Sequence, residues 1–316
     1  MKIYLTGSTG FIGNHLSIQL LKLSHIVFAP IRNLKLSQKN IHENLRLFRL
    51  ENPDKNTNYF KNIGKVDCLI HCAARTHVMR DKKKDSLDIY REANVEKTKK
   101  LAEEAAKQGI KRFIFLSSVK VNGEKTLGSN SFKYNDVPAP EDFYAISKFE
   151  AEKALWEISR KTGLEVTVIR LPLVYGNGAK GNLERLIKLV RLGIPLPFSM
   201  IQNKRSMIGI DNLVDFLIQC IDHPNAAGKT FLVSDGKDLS TPNFINHISS
   251  SMGFSARLFP VPIFLLKFLF NILGKKKELD RLIGSLKLDC THTREALNWI
   301  PPVNIAEGIR RMVQGK

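Results

Sequence analysis

In the stretch DFYAISKFEAEK (142–153), Tyr144 and Lys148 stand four residues apart, which on a helix puts them on one face. An ammonium one turn from a phenol is expected to lower the phenol's pKa from about 10 toward neutrality. Such a tyrosine gives a proton to a carbonyl or takes one from an alcohol. Upstream, FIFLSSVKVNG (113–123) is an apolar run ending in paired serines. Ser118 is placed there to hydrogen-bond the oxygen on which Tyr144 acts. A third group opens the chain, GSTGFIG (7–13). Gly7 permits a tight strand-to-helix turn, Gly10 lets the backbone approach a pyrophosphate, and Gly13 lets the helix pack close to the sheet. With Phe11 and Ile12 opening that helix, these are the candidate dinucleotide contacts.

For these residues to meet, they must sit at the carboxyl ends of parallel strands. The pattern supplies such strands: Ile3–Thr6, Ile26–Ile31, Leu45–Leu50, Cys68–His71, Phe113–Ser117 and Val166–Leu171 are apolar runs. Between them Phe11–Leu23, Leu87–Gln108 and Tyr144–Thr162 repeat apolar residues every three to four positions, as amphipathic helices do. Strand–helix alternation predicts an α/β fold, a Rossmann-type doubly wound parallel sheet over residues 1–175. Beyond that point proline becomes frequent. Helical patterns at Asn182–Leu192, Asn212–Ile221, Pro242–Met252 and Val261–Lys287, with short strands near Ser206–Ile210 and Thr230–Ser234, predict a smaller mixed α/β C-terminal lobe over 176–316. Segments after residue 200 are expected to complete the sheet.

The second strand ends in HIVFAPIRN (25–33), without an acid. An acid there accepts hydrogen bonds from the adenosine ribose 2′-hydroxyl and repels a 2′-phosphate. Arg32 would pair with that phosphate, or else stack on adenine or face solvent. Asn33 would bond the ribose hydroxyls. The cofactor is therefore NADP or NAD.

With the glycine turn, the strand-end serine and Tyr-x-x-x-Lys in this order, the chain resembles the extended short-chain dehydrogenase/reductase family over nearly its whole length. Its nucleotide-sugar epimerase/dehydratase branch is the most similar. HCAA (71–74), Asn94-Val95, RLPLVYG (170–176), KRSMIGIDNLVD (204–215) and EALNW (295–299) match it as well. The resemblance implies Ser118, Tyr144 and Lys148 as the catalytic trio, with Lys148 also holding the nicotinamide ribose. Cofactor contacts from Ala73, Ala74, Asn94 and Pro172 are likewise implied. Arg205 would clasp a sugar-nucleotide diphosphate with Asn182 nearby, a task that suits a guanidinium fork; the bland reading of Arg205 is a surface cation. A UDP-sugar substrate and a homodimer through the long helices complete the expectation.

Three reactions share this apparatus: C4 epimerisation, 4,6-dehydration and 4-keto reduction. Dehydratases of the branch carry Thr-Asp-Glu where this chain has Ser118-Val119-Lys120, and neither Val nor a protonated Lys replaces the carboxylates. Dehydration is set aside. The wording of 71–79, 117–124 and 205–215 is similar to bacterial enzymes of O-antigen or capsule assembly. The absent acid after strand two tips the expectation to NAD(P)H-dependent 4-keto reduction of a UDP-2-acetamido-2,6-dideoxy-hexulose. A UDP-glucose or UDP-N-acetylglucosamine 4-epimerase with tightly bound NAD is the alternative. The Arg-x-x-Asp that epimerases of the branch often carry has no counterpart in LDRLIGSLKLD (279–289), where Arg281 and Asp289 are wrongly spaced.

Composition bounds the rest. Lys and Arg exceed Asp and Glu by 49 to 30, a formal charge of +19 over 316 residues. Such a surplus attracts polyanions. Outside Lys82–Lys84 and Lys275–Lys277 it is dispersed, and no nucleic-acid motif accompanies it, so a phosphorylated small molecule is the expected partner and nucleic acid is not. The four cysteines (Cys68, Cys72, Cys220, Cys290) form no CxxC pair and no zinc spacing. No metal is expected, and free thiols point to a reducing cytoplasm. A strand at the N-terminus leaves no signal peptide to read. VPIFLLKFLFNIL (261–273) is too short to span a bilayer. It is expected to cap the substrate pocket or core of the second lobe, with a membrane-surface helix as the alternative, and stable insertion is not expected.

Overall fold

A computed structural model describes residues 1–31, 42–49, 59–76 and 86–315. Arg32, Asn33, Met79 and Lys82–Lys84 lie outside the described residues.

Seven strands form the main sheet: β1 (Lys2–Thr6), β2 (Ile26–Ile31), β3 (Leu45–Arg49), β4 (Cys68–His71), β5 (Arg112–Ser118), β6 (Glu165–Leu171) and β9 (Lys229–Leu232). Their order is β3-β2-β1-β4-β5-β6-β9 and every pairing is parallel. This is the Rossmann-type α/β fold that the strand pattern predicts. Strands β4 and β5 are buried at every position, as strands covered on both faces must be. On one face α1 (Phe11–Lys22) packs against α6 (Ile210–Gln219), with Leu16, Leu20, Leu213, Leu217 and Trp299 in the core. On the other, α3 (Lys97–Lys107) and α4 (Phe143–Thr162) bury Leu101, Ala105, Leu155 and Ile158. The later half of the chain thus supplies both an edge strand and a covering helix to the sheet.

The chain order reverses between β1 and β4, where Thr6 pairs in register with His71. The carboxyl ends of these strands open the crevice in which such folds bind ligands. The helix α4 begins beside it and ends at the opposite edge of the sheet, and local chemistry fixes both ends. Asp142 caps α4 by accepting from the Ala145 N–H at 2.7 Å, and Gly163, at φ +77°, ends it in the left-handed region.

The predicted Leu87–Gln108 helix is three pieces: α2 (Leu87–Arg91), a π-helical turn at Glu92–Glu96, and α3. The wide turn buries Asn94, whose amide is held from two sides. Beyond β6, Pro172 precedes β7 (Leu173–Tyr175), which leaves the main sheet to pair with β8 (Met207–Gly209). The second lobe gathers α5 (Asn182–Arg191), α7 (Thr241–Ser251), α8 (Ile263–Ile272), α9 (Lys276–Ile283) and α11 (Ile305–Gln314). Its core holds Tyr175, Phe198, Phe244, Ile248 and Ile309. The short helix α10 (Thr291–Leu297) delivers Leu297 and, just after it, Trp299 to the first core.

The predicted Val261–Lys287 helix breaks at Gly274, φ +65°, into α8 and α9. As expected, its α8 half caps the core of the second lobe, but by one face only. Leu266 is buried and Phe270 half-buried, while the other apolar residues of α8 are exposed. One helix resting on one neighbour buries only one of its faces. No described helix is long and apolar enough to cross a membrane.

Candidate active site

The glycine turn is dictated by crowding. At Gly7, φ +72°, a Cβ would stand 2.8 Å from the Ala73 nitrogen and 2.9 Å from the Cys72 carbonyl carbon. At Gly13 it would meet the Gly7 oxygen at 2.2 Å. Only glycines let β1, the start of α1 and the segment after β4 converge here. Gly10 is the helix N-cap and offers no side chain to the first-turn N–H groups, which leaves them for an anion. Ser8 Oγ is buried beside them with no hydrogen-bond partner among the described residues. An orphaned buried hydroxyl and free first-turn amides fit a dinucleotide pyrophosphate. Phe11 and Ile12 are half-buried at the opening of α1.

Behind this turn lies a short polar relay. Thr6 Oγ1 is 2.7 Å from His71 Nδ1 and accepts from the Ala73 N–H at 3.2 Å, and His71 Nε2 is 3.0 Å from Thr98 Oγ1. Burial, with Lys148 adding, pushes the imidazole down to about 3, so it is neutral and serves as a spacer. It fixes the backbone of Ala73, which is half-buried, and leads to Ala74, which is exposed. Asn94 does not project into the crevice by itself. Its Oδ1 accepts from the Arg75 N–H at 2.7 Å, and its Nδ2 donates to the Arg75 carbonyl at 3.0 Å and to Ser147 Oγ at 2.9 Å. It therefore clamps the segment after β4 to the helix that carries Tyr144.

Strand β5 ends in Ser117 and Ser118, and their hydroxyls diverge. Ser118 Oγ accepts from the Lys120 N–H at 3.3 Å and caps the 3-10 turn that follows. Ser117 Oγ donates to Glu152 at 2.5 Å. Glu152 also receives Arg170 from β6, with Nη2 to Oε2 at 2.7 Å, and Arg170 Nη1 reaches Asn122 at 3.1 Å. Both partners are buried, so α4 is bolted to the sheet through an ion pair beneath the site.

On α4, Tyr144 is half-buried in the cleft wall and Lys148, one turn on, is fully buried. The Lys148 ammonium stands 3.8 Å from the centroid of the Phe115 ring. Burial brings its pKa down to about 7, with Glu152 and Cys72 opposing. Tyr144 departs from the expected direction: burial, with Asp142 adding, pushes it up to about 12. Desolvation disfavours the phenolate, and the Asp142 carboxylate disfavours it further. Ser118, Tyr144, Lys148 and buried Pro172 are otherwise delivered to the rim by the ends of β5, α4 and β6.

Three residues support the site through partners that no local pattern names. Lys120 bonds Glu124 at 2.6 Å and Asp142 at 2.5 Å, which ties the loop after β5 to the cap of α4. Where dehydratases of the branch carry an acid, this chain has an ion-paired cation. Glu152 shows only its four-residue spacing from Lys148 as a signal, and Ser147 only its three-residue spacing from Tyr144, to whose carbonyl it donates at 2.8 Å. On the second lobe, Arg205 Nη1 donates to the Arg281 carbonyl at 2.9 Å and the Gly284 carbonyl at 3.0 Å, closing the end of α9. Among the described residues its Nε and Nη2 make no hydrogen bond. Asn182 is the exposed first residue of α5.

The description "NAD dependent epimerase/dehydratase family" belongs to a family model that matches residues 3–234. A UDP-glucose 4-epimerase of Vibrio cholerae is 44% identical over 314 residues, covering 99% of this chain and 94% of that protein. An N-acetyl-α-D-glucosaminyl-diphospho-ditrans,octacis-undecaprenol 4-epimerase of Escherichia coli O157:H7 is 25% identical over 240 residues, 72% of this chain and 71% of its own. Among solved structures, UDP-glucose 4-epimerase of Thermotoga maritima with UDP-glucose shares the fold at a TM-score of 0.79. It is 20% identical and covers 100% of this chain and 98% of its own.

Proposed function

The chain belongs to the NAD-dependent epimerase/dehydratase family, and from that premise we propose that it interconverts the C4 epimers of a UDP-linked hexose around a resident NAD. It is an extended short-chain dehydrogenase/reductase acting on nucleotide sugars. The observation that carries the finer reading is the 44% identity to a UDP-glucose 4-epimerase across 99% of the chain. The sequence reading put 4-keto reduction first. That preference leaned on Arg32, which lies outside the described residues, and the relative moves the weight to epimerisation.

NAD, when bound, supplies a hydride acceptor and donor at sugar C4. In this reading the glycine turn and Ser8 hold its pyrophosphate, and Lys148 and Pro172 bound its nicotinamide end. Tyr144 Oη takes the C4 hydroxyl proton and returns it, and Ser118 Oγ holds the same oxygen. Arg205 offers Nη2 and Nε to the diphosphate of the substrate while Nη1 stays on α9; Asn182 stands at the start of the neighbouring helix. A homodimer across α3 and α4 accompanies the reading, their outer faces flanking a groove with Ala106, Ala154 and Ile158 in its lining.

The test is to denature purified protein, identify any released dinucleotide, and incubate the native enzyme with UDP-glucose without added cofactor. Retained NAD and formation of UDP-galactose are expected. Turnover of a UDP-linked 4-keto sugar only on consumption of NADPH would replace this reading with the reductase.

A further inference from the structure

Helix α8 is apolar around nearly its whole circumference yet rests on the protein by one side. Its sequence, IFLLKFLFNI, has only Lys267 and Asn271 as polar positions. Leu266 is 1% exposed and faces the lobe core with Phe270, one turn on. At 100° per residue the opposite face carries Phe264, Phe268 and Ile272, flanked by Leu265 and Leu269. Those three are 69%, 67% and 65% exposed. A helix apolar all round is ordinarily buried all round, and a contiguous exposed patch of this kind marks a contact surface.

The charges around the patch identify its occupant. Leu273 and Gly274 lead from the helix directly to Lys275 and Lys276, both exposed, and Lys267 stands on its flank, also exposed. No acidic residue occurs between Asp238 and Glu278. An interface with a second copy would gather a doubled set of these cations with no acid from 239–277 to offset them, whereas an anionic surface would be attracted to them. We infer that α8 docks the protein on an anionic lipid bilayer, with Phe264, Phe268 and Ile272 in the headgroup–acyl boundary and Lys267, Lys275 and Lys276 among the phosphates. A ten-residue helix is about 15 Å long, half the hydrocarbon thickness, so it lies in the surface and does not cross. Through Gly274 the helix continues into α9, whose Arg281 carbonyl accepts from Arg205. What holds α8 therefore holds the lobe that carries Arg205. The inference concerns where the enzyme sits and does not depend on which reaction it performs.

Flotation of the full-length protein with vesicles tests it. Wild type is expected to float with phosphatidylethanolamine/phosphatidylglycerol vesicles and much less with pure phosphatidylcholine, with the difference lost in high salt. Phe264→Glu/Phe268→Glu should lower the partition coefficient about tenfold or more, and Lys275→Gln/Lys276→Gln should remove the preference for anionic lipid. Because the substituted side chains are exposed, thermal unfolding midpoints within a degree or two of wild type are expected and certify that the variants fold. Equal flotation of wild type and the Phe double variant overturns the inference. So does absence of vesicle binding combined with self-association that the same variant abolishes in sedimentation equilibrium, which would assign the face to a second copy.

Discussion

Replacing Lys148 with Met should stabilise the protein near neutral pH, flatten part of its pH–stability profile, and abolish turnover. Burial holds the Lys148 pKa at about 7 in the folded chain, against the ordinary 10.5. Between those values the unfolded chain carries a proton on this lysine and the folded chain does not. Stability therefore rises with pH across that window, by about 1.4 kcal/mol per unit for one group. Other desolvated groups act oppositely: Cys72, pushed up to about 12, and Tyr144 keep protons in the folded state that the unfolded chain sheds above pH 9. The absolute profile is thus a sum, and the difference between wild type and Lys148→Met isolates the lysine. Met fills a similar volume beside Phe115 and does not titrate. Urea unfolding of dinucleotide-stripped protein at pH 7.5, 8.5 and 9.5 gives the difference directly. Wild type should gain about 1.4 kcal/mol per unit on the variant, or about 3 kcal/mol over the range. Parallel profiles would refute the claim that the folded lysine is held neutral by burial.

Tyr144→Phe should leave the unfolding midpoint near wild type and lower turnover about 10²–10⁴-fold, measured as conversion of UDP-hexose at saturating substrate. Gly13→Ala places a Cβ 2.2 Å from the Gly7 oxygen. It should displace the turn, cost about 1–3 kcal/mol by overpacking, and abolish retention of dinucleotide as read by the absorbance ratio of purified protein. Glu152→Gln leaves the Arg170 guanidinium buried without a counter-charge. A loss of about 3 kcal/mol is expected, a fall in Tm of about 5 °C at roughly 2 cal/mol/K per residue, checked by calorimetry.

The legible features were those carried by local pattern. The apolar runs that predict strands match β1 to β6 within a residue or two; the reason is plainest in β4 and β5, where burial on both faces writes itself into consecutive residues. The glycine turn was legible for a similar reason, since the crowding at Gly7 and Gly13 arises within one strand–turn–helix unit and its neighbouring strand end. What stayed illegible is long-range pairing. Lys120 meets Asp142 across 22 residues and Arg205 meets Gly284 across 79, and nothing in either local sequence names the partner. Likewise VPIFLLKFLFNIL has the composition of a core helix, and only the packing of α8 on one side separates burial from exposure.

Tyr144 shows why spacing predicts contact better than it predicts charge. Four residues on a helix were enough to put the phenol and the ammonium on one face, and α4 does so. The sign of the pKa shift depends instead on two competing effects, desolvation of the phenolate and attraction to the cation. Attraction prevails only while the lysine is charged, and the burial that raises Tyr144 to about 12 also lowers Lys148 to about 7. Burial thus moves both groups toward their neutral forms, the phenol upward and the ammonium downward.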